Sequence, residues 1–317
     1  MDKSTPILYV VIPCYNEEPI IKDTAKKLLN KIETLITKKK IAQESRIMFV
    51  DDGSKDLTYQ MITELHNSNP LFSAVKLSRN RGQQNAIIAG LTEANKHADA
   101  VITIDADLQD DIDAIDKMVD EYVNGAEIVY GVRSARKKDT IFKRMTAHAF
   151  YKLMLKLGVE IIYDHAEFRL MSKKTLNAFF EYNESNIFVR GIVPQLGFKT
   201  AKVSYLRKKR QAGESKYSLS KMISLALDGI TSCSSKPLTL IFWLGFWLQI
   251  LSLGGFITTT ILMFNIGLHF MWPIISAMCW LTSIILLSLG VIGFYLGKTY
   301  LETKHRPRFF IEEVLNK

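Results

Sequence analysis

Val101-Ile102-Thr103-Ile104-Asp105-Ala106-Asp107-Leu108-Gln109 runs from four strand-forming residues straight into a pair of carboxylates. A short apolar run closed by polar residues is the pattern of a strand buried on both faces. The pattern recurs upstream. Leu8 to Ile12 leads into Pro13-Cys14-Tyr15-Asn16-Glu17-Glu18, and Ile47 to Val50 leads into Asp51-Asp52-Gly53-Ser54-Lys55-Asp56. Further strands read at Ala74 to Leu77 and Ile128 to Tyr130, and Arg133 and Arg169 end or occupy strands. Helical periodicity falls between them, near Ile20 to Ile36, Thr58 to Asn67, Gln84 to Asn95 and Ile112 to Asn124. Such alternation predicts an α/β fold, with right-handed crossovers and a mostly parallel, Rossmann-like sheet covered on both faces. Ligands of these sheets bind beyond the carboxyl ends of the strands. Turn and helix-cap chemistry would explain any one polar cluster, but three at strand ends point to a site.

In extended backbone, residues two apart point the same way, so Asp105 and Asp107 can converge on one hard cation, with Gln109 close behind. Magnesium or manganese is the expected cofactor. Such ions keep waters and bridge substrate phosphates, which points to a phosphate-bearing substrate. No G-x-x-x-x-G-K-[ST] or G-x-G-x-x-G string occurs, which disfavours an NTPase or a dinucleotide oxidoreductase. Asp110, Asp111, Asp113 and Asp116 read as the acidic start of a helix, favoured by its dipole.

The chain has 317 residues, 48% hydrophobic and 23% charged, which excludes disorder and leaves room for one large domain plus an appendage. From Pro237 to Gly297, 61 consecutive positions carry no Asp, Glu, Lys or Arg. That length admits two membrane spans, expected near Leu238 to Phe264 and Trp272 to Tyr300, with a break at Asn265 to His269. Arg207, Lys208, Lys209, Arg210, Lys216, Lys221 and Lys236 precede the first span, and Lys298, Lys304, Arg306 and Arg308 follow the second. The positive-inside rule then predicts a multi-pass protein of the cell membrane, with the catalytic part and both termini cytoplasmic. The net charge of +9 is assigned to the membrane surface, with no nucleic-acid module. Leu219, Met222, Ile223, Ala226, Leu227 and Ile230 share one helix face and read as an interfacial amphipathic helix. The expected division is 1–206 catalytic, 207–236 basic loop and amphipathic helix, 237–300 spans, and 301–317 tail. Cys14, Cys233 and Cys279 show no C-x-x-C spacing, so neither a zinc site nor a disulfide scaffold is expected. The amino-terminal apolar run ends at Pro13 without a small-residue cleavage site and does not read as a signal peptide.

Several motifs together resemble a known family. They are Val11-Ile12-Pro13-Cys14-Tyr15-Asn16-Glu17, Val50-Asp51-Asp52-Gly53-Ser54, Arg79-Asn80-Arg81-Gly82, Asp105-Ala106-Asp107-Leu108-Gln109, Glu167-Phe168-Arg169-Leu170 and Gly213-Glu214-Ser215-Lys216-Tyr217-Ser218. The chain resembles the inverting, nucleotide-sugar-dependent glycosyltransferases of family two, with the GT-A fold, and among them the polyprenyl-phosphate enzymes, bactoprenol glucosyltransferases and dolichyl-phosphate mannose synthases. The resemblance implies that Pro13, Tyr15 and Glu17 line the nucleotide pocket with Arg79 and Gly82, and that Asp52 or Asp51 reads the uracil. It implies that Asp105 faces the donor ribose and the metal, while Asp107 and Gln109 hold the cation on the diphosphate. Relatives usually have Pro soon after the Gln, whereas Asp110-Asp111-Ile112-Asp113 stands here.

The implied reaction moves one sugar from a nucleotide-sugar, UDP-glucose or another UDP-hexose, to polyprenyl (undecaprenyl) phosphate. The product would be a lipid-linked monosaccharide for cell-envelope glycans. Asp105, Asp107, Arg133 and Arg169 are the expected catalytic residues, and Arg169, Arg207, Arg210 and Lys216 the expected contacts of the lipid phosphate. A homo-oligomer is a further expectation. A polysaccharide synthase would carry Q-x-x-R-W, which is absent, and an inactive scaffold would have lost the carboxylates, which are all present.

Overall fold

The computed structural model describes residues 5–133, 165–182, 189–206, 271–304 and 306–316, together with 243, 247 and 250. Eight strands form one sheet in the order β7-β5-β6-β4-β1-β2-β3-β8. They are β1 (Leu8–Cys14), β2 (Arg46–Asp51), β3 (Phe72–Leu77), β4 (Ala100–Thr103), β5 (Ile128–Arg133), β6 (His165–Ser172), β7 (Thr200–Tyr205) and β8 (Ile311–Leu315). The helices are α1 (Ile21–Thr37), α2 (Thr58–Ser68), α3 (Gln83–Ala94), α4 (Ala114–Val123), α5 (Lys173–Phe180), α6 (Val189–Gln195) and α7 (Met271–Thr303).

All seven residues of β1 are buried, as a central strand with helices on both faces requires. On one face α1 inserts Ile21, Ala25, Leu28, Ile32 and Leu35, at helical spacing, against Val10, Ile12 and Phe49. On the other, α3 lies so close that a Cβ on Gly90 would meet the Val11 and Val50 side chains at 2.4 and 2.7 Å. Only glycine fits that contact.

The sheet is mixed rather than mostly parallel. β1 pairs in parallel with β2 and β4, β2 with β3, and β5 with β7, whereas β6 runs antiparallel between β4 and β5. Thr103 of β4 stands opposite Arg169 of β6, so the start of β6 reaches the same sheet end as the close of β4. Beyond the other edge, β8 is antiparallel to β3 and is fastened by Lys76–Glu312 at 3.0 Å and by the Tyr59 hydroxyl, which donates to Glu313 at 2.7 Å. The Ser78 N–H donates to the Phe310 carbonyl at 3.0 Å, just before the Arg79–Gly82 loop.

The expectation of membrane spans needs correction. Among the described residues, no helix is long and apolar enough to cross a membrane. The expected multi-pass protein of the cell membrane, with cytoplasmic catalytic part and termini, is therefore not supported. Absence of charge over a long run does not by itself make a spanning helix. The expected span from Leu238 to Phe264 lies outside the described residues except at Trp243, Trp247 and Ile250, and so do the interfacial helix and the Gly213–Ser218 loop. The second stretch, Trp272 to Tyr300, falls within α7, a helix of 33 residues.

Candidate active site

At the carboxyl ends of β1 and β2, two loops interlock. The Asn16 N–H donates to Ser54 Oγ at 3.0 Å, and Lys55 N–H to Asn16 Oδ1 at 2.9 Å. Glu17 N–H donates to Thr58 Oγ1 at 2.9 Å, and Leu57 N–H to Glu18 Oε2 at 3.2 Å. Asn16 takes a positive φ of 52°, which Asn tolerates better than most residues. These bonds fix the Pro13, Tyr15 and Glu17 backbone beside the Asp51-Asp52-Gly53-Ser54 turn.

The Arg79–Gly82 loop is bolted to the same turn. Asp52 accepts the N–H groups of Arg81 and Gly82 at 2.7 and 2.8 Å, one on each carboxylate oxygen. Gly53 has φ 65°, and a Cβ there would lie 2.6 Å from the Arg79 and Asn80 backbone. Asp51 is also buried. Its Oδ2 accepts the Ser54 N–H at 3.2 Å, while its Oδ1 has no hydrogen-bond partner among the described residues. Burial raises the pKa of both carboxyls, and the hydrogen bonds they accept pull part of the way back.

Two strands away the Asp105 turn is held differently. Asp105 is half-buried, accepts a bond from Gln83 Nε2 at 2.7 Å, and stands two residues after the close of β4. Burial pushes its carboxyl up to about 7, and the charges of Asp110, Glu167 and Asp107 add to that push, while Arg190 opposes it. Thr24 Oγ1 of α1 donates to the Ala106 carbonyl at 2.7 Å, and Leu108 turns the chain with φ 42°. Asp107 Oδ1 accepts the Gln109 N–H at 3.3 Å, which keeps both side chains in one tight turn.

Behind this turn lie the cations. Arg133, at the end of β5, donates through Nε and Nη2 to Asp110 Oδ1, each at 3.3 Å. Glu167 of β6 binds Arg169 through one oxygen, and accepts Arg190 Nε at 2.6 Å and Gln84 Nε2 at 3.0 Å on the other. Arg169 is 1% exposed and also donates to the Val189 carbonyl at 3.4 Å, whereas the Arg190 side chain is 36% exposed. Sequence reasoning placed Arg169 among ligand contacts, and the structure places its guanidinium inside the sheet. Arg207, Arg210 and Lys216 lie outside the described residues.

Arg190 and Asp110 were not singled out for the site from sequence. The signal for Arg190 was a lone charge in Ile187-Phe188-Val189-Arg190-Gly191-Ile192-Val193, because a charge in an apolar run needs a buried partner. For Asp110 the helix-start reading was sufficient, and nothing local pairs it with Arg133.

Among the described residues, no three His, Cys, Asp or Glu side chains converge as a ready-made metal cage. The donor set at Asp105 and Asp107 nonetheless fits a divalent cation that shares its shell with a phosphate-bearing ligand. Asp105, Asp107, Asp110 and Glu167 crowd the turn, and a bound cation would offset both the burial and the mutual repulsion that raise the Asp105 carboxyl.

Comparison with known proteins identifies the family of the chain. The family described as "Glycosyl transferase family 2" matches residues 9–188. An uncharacterized glycosyltransferase of Bacillus subtilis strain 168, YkoT, is 46% identical over 98% of this chain and 93% of its own length. A bactoprenol glucosyl transferase of Shigella phage SfV is 36% identical over 96% of this chain and 97% of its own. Among solved structures, that of a mycobacterial protein covers 72% of this chain and 74% of its own at a TM-score of 0.50 and 15% identity, a likeness of fold alone. The matched span takes in the strand-end loops, the Asp105 turn and Glu167, and on these grounds the chain belongs to glycosyl transferase family 2.

Proposed function

We propose that this chain transfers one sugar from a UDP-hexose, such as UDP-glucose, to polyprenyl phosphate, giving a lipid-linked monosaccharide. The observation that carries the reading is the near full-length likeness to a bactoprenol glucosyl transferase, which continues well beyond the matched family segment.

The nucleotide end would be read by the loops at β1 and β2. Asp52 spends both oxygens on the Arg79–Gly82 loop, so of the two carboxylates Asp51 retains an oxygen for the uracil N–H. Pro13, Tyr15 and Glu17 would flank the base and ribose. Asp105 and Asp107, with Gln109, would hold magnesium or manganese, which neutralises the leaving diphosphate when bound. A phosphate monoester has its second pKa near ~6, so at neutral pH the acceptor attacks as a dianion and needs no protein base. Its oxygen forms the bond to the anomeric carbon as the bond to the diphosphate oxygen breaks, and UDP leaves. Arg133 stands beside the reacting groups, and Arg207, Arg210 and Lys216 would add cations for the acceptor. Detergent-solubilised protein given UDP-glucose, divalent metal and undecaprenyl phosphate should form a lipid-linked hexose detectable by mass spectrometry. Transfer to a soluble sugar but not to the lipid phosphate, across a panel of UDP-hexoses, would overturn the assignment.

A further inference from the structure

Glu167 binds two guanidiniums, those of Arg169 and Arg190, one on each carboxylate oxygen. Arg169 and Glu167 are sealed inside at 1% and 2% side-chain exposure, so the group meets solvent through Arg190, whose side chain is 36% exposed. In the neighbouring pair, Arg133 meets the buried Asp110 at 3.3 Å and is itself 26% exposed. Arg190 is also near enough for its charge to act on Asp105, the residue that opens the metal-binding turn. Glu167 fixes the guanidinium through Nε at 2.6 Å, an orientation that a flexible surface arginine lacks.

We infer that Arg190 is a phosphoryl-binding residue of the transfer site, its guanidinium receiving a phosphate oxygen and Glu167 serving as its positioning residue. The inference rests on the proposed reaction, which offers two phosphates of the same chemistry, the donor's diphosphate and the acceptor's monoester. A guanidinium oriented by a buried carboxylate meets either with charge-assisted bonds. The sequence motifs do not include it, because its neighbours Val189 and Gly191 to Val193 are buried packing residues.

Arg190→Gln and Arg190→Lys separate the sources when two quantities are followed against the wild type, the affinity for UDP with manganese by calorimetry and the steady-state constants for a polyprenyl phosphate. Loss of one charge-assisted contact predicts about a ten- to hundredfold fall for Arg190→Gln, partly restored in Arg190→Lys. A fall confined to kcat/KM for the acceptor assigns the monoester, and a fall in UDP affinity assigns the diphosphate. Unchanged values of both in a variant that unfolds at lower urea would show Arg190 to be only a counter-charge for Glu167, and the inference would fall. Should the wild type bind UDP yet glycosylate no polyprenyl phosphate, the acceptor reading alone fails, and the UDP affinity of Arg190→Gln still decides the role of Arg190.

Discussion

At the carboxyl ends of β1 and β2, the loops are tied by backbone N–H groups donating to Asn16, Ser54, Thr58 and Asp52. At the close of β4 and the start of β6, the same sheet end is tied by ions, with Asp110 on Arg133 and Glu167 on Arg169 and Arg190. The first arrangement closes on itself through these bonds and leaves the buried Asp51 Oδ1 as its one acceptor named above without a partner among the described residues. The second is held by ion pairs, yet Asp105 stays partly buried beside three further carboxylates. Shape recognition suits the first region. Charge recognition suits the second, where the metal and phosphates of the proposed reaction would bring the missing balance.

The comparison breaks most readily at Glu167. Replacing it with Gln leaves Arg169 buried without its counter-charge, so Glu167→Gln should cost about 3–5 kcal/mol of stability in urea unfolding. A loss below 1 kcal/mol would mean that the ion cluster contributes little to holding β6. Next comes Asp107→Ala. If this carboxylate holds the cation under the leaving diphosphate, turnover should drop at least about a hundredfold, with the urea midpoint unchanged. Undiminished turnover of the folded variant in excess chelator would remove metal from the proposed mechanism. The smallest effect is expected in the region tied by backbone N–H groups. In Asp52→Asn an amide N–H must face the N–H of Arg81 or Gly82, so the Arg79–Gly82 loop should shift and the KM for donor rise by about tenfold, with kcat nearly kept, as for contacts made equally in ground and transition states. A collapsed kcat at constant KM would place Asp52 in the chemistry instead.

Much of this architecture was legible in the chain. Five strands and four helices from Leu8 to Arg133 lie within a few residues of where hydrophobic period and turn residues put them, because each is a local pattern over a buried sheet. The three remaining strands depend on partners far away. In β6 the sequence Glu167-Phe168-Arg169-Leu170 alternates charge and apolar groups, as a half-exposed strand would, yet both charged side chains are buried against each other and Arg190. In β8 the sequence Ile311-Glu312-Glu313-Val314-Leu315 is acidic and short, and its acidic groups find Lys76 and Tyr59 only after folding. The same limit hid Arg190, whose role rests on a contact with Glu167 that no spacing rule encodes. The carboxylate clusters at Asp51 and Asp105 were visible because the strand ends that carry them are local features. Among the described residues no helix meets the requirements of a span, so absence of charge was not by itself a sufficient sign of one.

The pairing of β3 with β8 also sets the order of assembly during synthesis. Lys76 and Glu312 are 236 residues apart, so at about 5–20 residues per second the ribosome needs on the order of ten seconds or more to supply the partner. Throughout that interval β3 presents the unpaired backbone groups of an open strand edge, in a segment that carries Phe72, Ala74, Val75 and Leu77, to any neighbouring nascent chain. The final strand therefore acts as a late closure against mispairing. Chains cut short before it should partition into aggregates even though every carboxylate of the site is already in place.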